Sequence, residues 1–138
     1  MGEQATLILK NDVSELERVM RLVSDLCLQN SIPSDIEYDL NLALDEMIGN
    51  VAQHAFPKDE EHHFTVQITV SKEEFVACIE DDGVEFNPIE HPMPDLDAPL
   101  GERKQGGLGI YLARQIMTSV EYQRLEGKNV VTLRKKLT

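Results

Sequence analysis

Between Asn87 and Gln105 stand Pro88, Pro92, Pro94 and Pro99, and this stretch limits the possible folds more than any other in the chain. Proline fixes φ and lacks an N–H, so neither a helix interior nor a central strand can run through it. The segment is also too long for a plain connector. Long irregular segments inside compact domains usually serve function. Whatever the chain does is expected to involve the parts on either side of it.

Those parts read as alternating strands and helices. ATLILK predicts a short strand, followed by a helix from about Asp12 to Gln29 with a buried stripe of Leu16, Val19, Met20, Val23 and Cys27. Pro33 and Ser34 open a second helix, where Ser34 with Glu37 forms a capping box. Ile36, Leu40, Leu44, Met47 and Val51 should face a sheet. Strands follow near 63–71 and 74–81. After the prolines, a helix from about Gly107 to Thr118 buries Ile110, Leu112, Ala113, Ile116 and Met117. SVEYQRLE and NVVTLRKKL, split by Gly127-Lys128, read as a closing hairpin. The fold class is a two-layer α/β sandwich with helices on one face of a mixed, mostly antiparallel sheet. At 138 residues, residues 1–138 are expected to form one domain.

Charge narrows the partners. The net charge of −12 argues against a nucleic-acid backbone, which would call for a basic stripe. No apolar run approaches the roughly 18 residues of a membrane helix, and the N-terminus lacks a signal-peptide pattern, so a soluble cytoplasmic protein is expected. Cys27 and Cys78 fall in apolar patterns and read as buried free thiols. His62, His63 and His91 match no zinc-ligand spacing.

Three short motifs carry the chemistry. In LDEMIGNVAQH, Glu46, Asn50 and His54 lie four apart, and a helix would stack them along one narrow stripe able to line a pocket wall. Alone, such spacing fits a solvated helix face. VACIEDDGVEFNP reads as a strand ending in Asp81-Asp82-Gly83, and by itself Asp-Gly is an ordinary turn signal. QGGLGIYLARQIM places Gly106, Gly107 and Gly109, with Leu108 between, at the start of an apolar helix. Glycines let backbone N–H groups approach a ligand, and a helix N-terminus presents unpaired donors to phosphate. The cluster is neither a Walker loop nor a Rossmann fingerprint, since no Gly-Lys-Ser/Thr follows it and no strand precedes it.

In this order, the ExxxNxxxH stripe, the Asp-x-Gly turn with Phe86 and Pro88, and the GGLG helix start resemble the GHKL (histidine kinase-like) ATPase superfamily. The pattern is most similar to its stand-alone anti-sigma factor serine/threonine kinase branch, over about Leu7 to Leu137. The resemblance implies a Bergerat-type ATP-binding fold, ATP and Mg²⁺ as cofactors, and an ATP lid at about 87–106. It implies Glu46 as the base that accepts the proton of an attacking hydroxyl, and Asn50 as the Mg²⁺ ligand. His54 belongs to the pocket motif. Asp81 would bind the adenine amino group beside Gly83, and Gly106, Gly107, Leu108 and Gly109 the phosphates. Arg103 and Lys104 are candidates for phosphate contact, or equally exposed lid charges. The function implied is phosphorylation of a small antagonist protein, with sequestration of a sigma factor, and hence regulation of transcription. Neither direct nucleic-acid nor membrane contact is implied, and a homodimer is left open. The alternative is a nucleotide-sensing module that binds a partner without phosphorylating it. Two departures stand out: Glu85 where relatives have a second glycine, and Lys128-Asn129 where relatives carry threonine beside Gly127, which puts adenine contacts from that strand in question.

Overall fold

The computed structural model describes residues 3–57, 60–90 and 107–138. In chain order the regular elements are β1 (Glu3–Lys10), α1 (Leu16–Gln29), α2 (Ser34–Asn50), β2 (His63–Val70), β3 (Glu74–Asp81), α3 (Gly107–Ile116), β4 (Ser119–Leu125) and β5 (Lys128–Lys136). The strands form one sheet in the order β1-β2-β3-β5-β4, and every described pairing is antiparallel. The expected mostly antiparallel sheet is therefore antiparallel throughout, because each strand reaches its neighbour by a hairpin or by a connection that reverses direction. Among the described residues no helix is long and apolar enough to cross a membrane.

Strand alternation builds the layers. Phe64, Val66, Ile68 and Val70 of β2, Phe75, Ala77 and Ile79 of β3, and Val131 and Leu133 of β5 point to one face and are buried. Val19, Val23, Leu26 and Cys27 of α1, Leu40, Leu44, Met47 and Ile48 of α2, and Ile110 and Ala113 of α3 complete the same core. The opposite face, with Thr6, Gln67, Val76 and Thr132, is exposed or half-exposed. Period-two strands on period-3.6 helices give the two-layer arrangement that the sequence pattern predicts.

Several local expectations need correction. Met20 is 45% exposed and Leu26 takes its place in the α1 stripe; Leu112 is 38% exposed on α3. The first helix begins at Leu16, after a 3₁₀ turn over Val13–Glu15 that Asp12 caps by accepting from the Ser14 N–H at 2.9 Å. Ser34 makes no capping bond: Pro33 occupies the N-cap position with extended backbone, and its carbonyl receives the Glu37 N–H at 3.0 Å. Ser34 is thus already helical, and its hydroxyl cannot reach forward as an N-cap would. The closing hairpin turns at Glu126-Gly127, both at positive φ (52° and 80°), so Lys128 belongs to β5. Two consecutive positive φ values make the type I′ turn that suits the twist of paired strands. Cys27 is buried as expected, while Cys78 is only half-buried; both are free.

Of the expected lid, only Asn87–Glu90 falls among the described residues, where Pro88–Glu90 forms a 3₁₀ turn. The Asn87 side chain starts that turn by accepting from the Ile89 N–H at 2.9 Å. Glu85 is exposed and lies outside the left-handed region, so the turn after Gly83 needs no second glycine.

Candidate functional site

The site forms where the end of α2 meets the ends of β3 and β5 and the start of α3. The C-terminus of α2 does not stop at Asn50 but widens into a π turn over Val51–Ala55. A π turn rotates less per residue than an α turn, so the step from Asn50 to His54 offsets the small overshoot of the step from Glu46 to Asn50. π turns of this kind recur at functional sites. The expected stripe is therefore present, with Glu46 and Asn50 half-buried and His54 exposed.

Two clefts share Asn50 and His54 as a common wall. One, a narrow cavity of ≈ 20 Å³, is mainly apolar, with Met47, Val51, Phe86 and Val131 on its sides and Asp81 and Asn129 as polar groups. The other, of ≈ 270 Å³, is polar and is lined by Asp45, Glu46 and Gln53 beside the N-terminus of α1. An apolar lining with a few fixed polar groups is of the kind that recognises an aromatic base; an open polar compartment beside it suits hydrated phosphates.

Asp81 continues the inward alternation of Phe75, Ala77 and Ile79, which places its carboxylate at the cleft with only 5% exposure. Its Oδ1 accepts from the Gly83 N–H at 2.9 Å and from Asn129 Nδ2 at 3.0 Å. Both hydrogen bonds that reach this carboxylate from the described residues fall on Oδ1. Burial pushes the Asp81 carboxyl above its ordinary range, and the hydrogen bonds from Asn129 and Gly83 pull against that shift.

Asn129 is the functional candidate that sequence reasoning missed. It is 3% exposed and sits opposite Asp81 in the β3–β5 register. Its amide donates to Asp81 Oδ1 and to the Val84 carbonyl at 2.7 Å; its oxygen accepts from Tyr122 Oη at 2.7 Å and from the Phe86 N–H at 3.3 Å. All four hydrogen-bonding positions of a carboxamide are engaged. Alternation in NVVTLRKKL put Asn129 on the face of Val131 and Leu133, which was the available signal.

Gly83 packs so closely under the π turn that an added Cβ would overlap the Ala55 carbonyl. The contact is fixed by the Val84 N–H, which donates to Ala55 O at 3.0 Å, and Arg124 closes the turn from the other side by donating to Gly83 O at 3.0 Å. Glu46 reaches across to Gly109 in the first turn of α3, where an added Cβ would overlap its carboxylate. Burial, and then the neighbouring Asp45, raise the Glu46 carboxyl above its ordinary range.

For a magnesium ion, the chemistry of the donors is the test. Asn50 Nδ2 is buried and has no hydrogen-bond partner among the described residues, so those residues do not fix the orientation of that amide, and its carbonyl oxygen is of the type Mg²⁺ takes. No group of three or more His, Cys, Asp or Glu among the described residues forms a protein cage. One neutral oxygen fits Mg²⁺, which keeps most of its shell for phosphates and water. Of the expected phosphate contacts, Gly107, Leu108 and Gly109 fall in the first turn of α3. Arg103, Lys104 and Gly106 lie outside the described residues.

Comparison with known proteins bears on this arrangement. Residues 9–135 match the family described as Histidine kinase-like ATPase domain. The serine/threonine-protein kinase BtrW of Bordetella bronchiseptica is 27% identical over 131 residues, 90% of this chain and 92% of that protein. The serine-protein kinase RsbW of Bacillus subtilis is 27% identical over 97 residues, 67% of this chain and 60% of the relative. The chain thus spans nearly all of the first of these and about three fifths of the second. Among solved structures, the RsbU and RsbW domains of Rv1364c from Mycobacterium tuberculosis superpose with a TM-score of 0.70 at 15% identity, covering 98% of this chain and 32% of that one. The histidine kinase domain of a blue-light activated histidine kinase from Erythrobacter litoralis gives 0.53 at 18% identity, covering 91% and 60%. Both likenesses concern the fold.

Proposed function

Because the chain belongs to the histidine kinase-like ATPase domain family, we propose that it is an ATP-dependent serine/threonine protein kinase acting as an anti-sigma regulatory factor. It phosphorylates a small antagonist protein and sequesters a sigma factor. A cytoplasmic location goes with those partners. The observation that carries this reading is the division of labour across the shared wall of Asn50 and His54. A buried carboxylate, Asp81, stands in the apolar cleft; a half-buried carboxylate, Glu46, stands in the polar one. The relatives named as serine kinases support the choice of a protein hydroxyl as acceptor.

In this reading Asp81 Oδ2 accepts from the adenine amino group while Gly83 keeps the turn low enough for the base to lie flat. Asn50 would hold Mg²⁺, which would supply charge to offset that of the phosphates. The first turn of α3, with Gly107 and Leu108, offers N–H donors to the phosphates. Arg103, Lys104 and Gly106 are assigned to the same task. Glu46 takes the proton of the serine or threonine hydroxyl as its oxygen bonds to the γ-phosphorus and the bond to ADP breaks. Its raised pKa makes it a better proton acceptor than an ordinary glutamate. Positioning and charge stabilisation supply most of the acceleration in such a transfer.

The experiment is a calorimetric titration with ATP, with and without Mg²⁺, joined to transfer assays on a candidate antagonist protein. Glu46→Gln should bind Mg·ATP as the wild type does and lose transfer by about 10²- to 10⁴-fold, the usual worth of a general base. Asn50→Ala should bind ATP with no response to Mg²⁺. Equal transfer by wild type and Glu46→Gln would remove Glu46 from its role. Mg·ATP binding with no phosphorylated partner after long incubation would leave the nucleotide-sensing module in its place.

A further inference from the structure

Two glycines at the site are crowded, and the atoms crowding them differ in kind. At Gly83 an added Cβ would meet the carbonyl oxygen and carbon of Ala55, which are backbone and cannot yield without moving the π turn. At Gly109 the atoms in the way are Cδ, Oε1 and Oε2 of Glu46, the free end of a flexible side chain. A side chain at 83 burdens the fold. One at 109 moves a carboxylate.

We propose that Gly109 is a positioning residue for Glu46, its bare Cα forming the surface of α3 against which the carboxylate rests. This rests on the reading of Glu46 as the base. It separates Gly109 from Gly107, whose assigned task is to let backbone N–H groups reach phosphate. The geometry gives the reason. Glu46 projects from α2 towards the packed neighbour α3, half-buried and without room to spare on that side. Any β-carbon on that turn sends the carboxylate elsewhere in the polar cleft, whose other titratable lining groups are Asp45 and His54. The position is otherwise permissive. Gly109 lies within a helix at ordinary negative φ, and alanine is the better helix former, so Gly109→Ala threatens neither α3 nor the fold.

The test uses the full chain as wild type, Gly109→Ala, Glu46→Asp and the double variant. Four quantities are read: the urea midpoint, calorimetric affinity for Mg·ATP, release of labelled γ-phosphate from Mg·ATP, and the carbon-13 titration of the Glu46 carboxyl in the nucleotide-free protein. Gly109→Ala should unfold at or above the wild-type midpoint and bind Mg·ATP within about threefold. Its phosphate release should fall about 100-fold, as for a reacting group displaced by an ångström. The Glu46 carboxyl should titrate closer to the ordinary glutamate range as it leaves its half-buried seat. In the double variant the shorter aspartate no longer meets the new methyl, so the two losses should be far from additive. Weakened Mg·ATP affinity with an unchanged Glu46 titration would assign Gly109 to the phosphates and overturn the proposal; so would unchanged phosphate release or strictly additive losses. If the wild type releases no phosphate to water, transfer of the label to the candidate antagonist protein is read in its place, and equal transfer by wild type and Glu46→Asp removes Glu46 from its role as base. The carboxyl titration of Gly109→Ala still decides whether residue 109 sets the position of that side chain.

Discussion

Gly83→Ala is the substitution whose cost can be worked from the structure. The new Cβ would overlap Ala55 backbone, and since Gly83 and Ala55 belong to different elements, one must retreat from the other. Overpacking of this kind costs about 1–3 kcal/mol. Retreat also stretches the Val84 N–H to Ala55 O hydrogen bond, now 3.0 Å, which adds about 1 kcal/mol. A loss of about 2–4 kcal/mol follows, a large share of the 5–15 kcal/mol typical of a domain. For a chain of this size it corresponds to a fall in Tm of roughly 10 °C. Urea unfolding followed by circular dichroism measures it directly, with an unchanged slope confirming that stability and not compactness has altered. Because the Gly83 N–H also donates to Asp81 Oδ1, Mg·ATP affinity should fall in the variant even under conditions where it is folded. A midpoint within about 0.5 kcal/mol of wild type, the range of an unremarkable surface change, would refute the close contact between the π turn and the Asp-x-Gly turn.

Two further outcomes are expected. Asn129→Leu keeps the branched outline of the side chain and removes a carboxamide that makes four hydrogen bonds, so it should cost about 3–5 kcal/mol in urea unfolding and weaken Mg·ATP binding, because Asp81 loses a donor. Asp81→Asn retains an oxygen for the Gly83 and Asn129 donors but no buried charge. The folded state holds the Asp81 proton more tightly than the unfolded state does, so the charge penalty is fully present above the raised folded pKa and vanishes as pH falls through it towards the ordinary 3.8. The variant should therefore match or exceed wild-type stability at pH 7, lose that advantage towards pH 4, and bind ATP poorly throughout; a variant clearly less stable at pH 7 would contradict the assignment.

What the sequence revealed depended on how local the cause was. The stripe of Glu46, Asn50 and His54 could be read because helical spacing is a property of adjacent turns. Its last step could not: the widening at Val51–Ala55 accompanies the hold of Val84 and Gly83 on Ala55, a contact between segments whose distance in sequence hides it. Ser34 failed as a cap for a related reason. Serine, then glutamate three residues on, is a sound signature only if the serine stands outside the helix, and here Pro33 supplies the extended residue instead. Met20 and Leu112 show the limit of periodicity, which fixes a helical face to within a residue but not which side of the stripe the neighbouring helix covers.

Asn129 marks the boundary most sharply. Its face could be read from the alternation with Val131 and Leu133, but its partner could not, because the pairing with Asp81 joins residues 48 positions apart and is set by the turn at Glu126-Gly127 and by the place of β5 beside β3. The pairing also bears on the expected departure at Lys128-Asn129. With both amide hydrogens given to Asp81 and Val84 and its oxygen taking Tyr122 and Phe86, Asn129 has no group left to offer a nucleotide base. Under the proposed function, base recognition then falls to Asp81 Oδ2, since both bonds from the described residues fall on Oδ1, and β5 serves as the brace that aims it. A threonine at 129, with one donor and a shorter reach, could not hold Asp81, Val84, Tyr122 and Phe86 together. In that reading Asn129 is a support and not a base contact, and adenine recognition rests on a carboxylate held from behind.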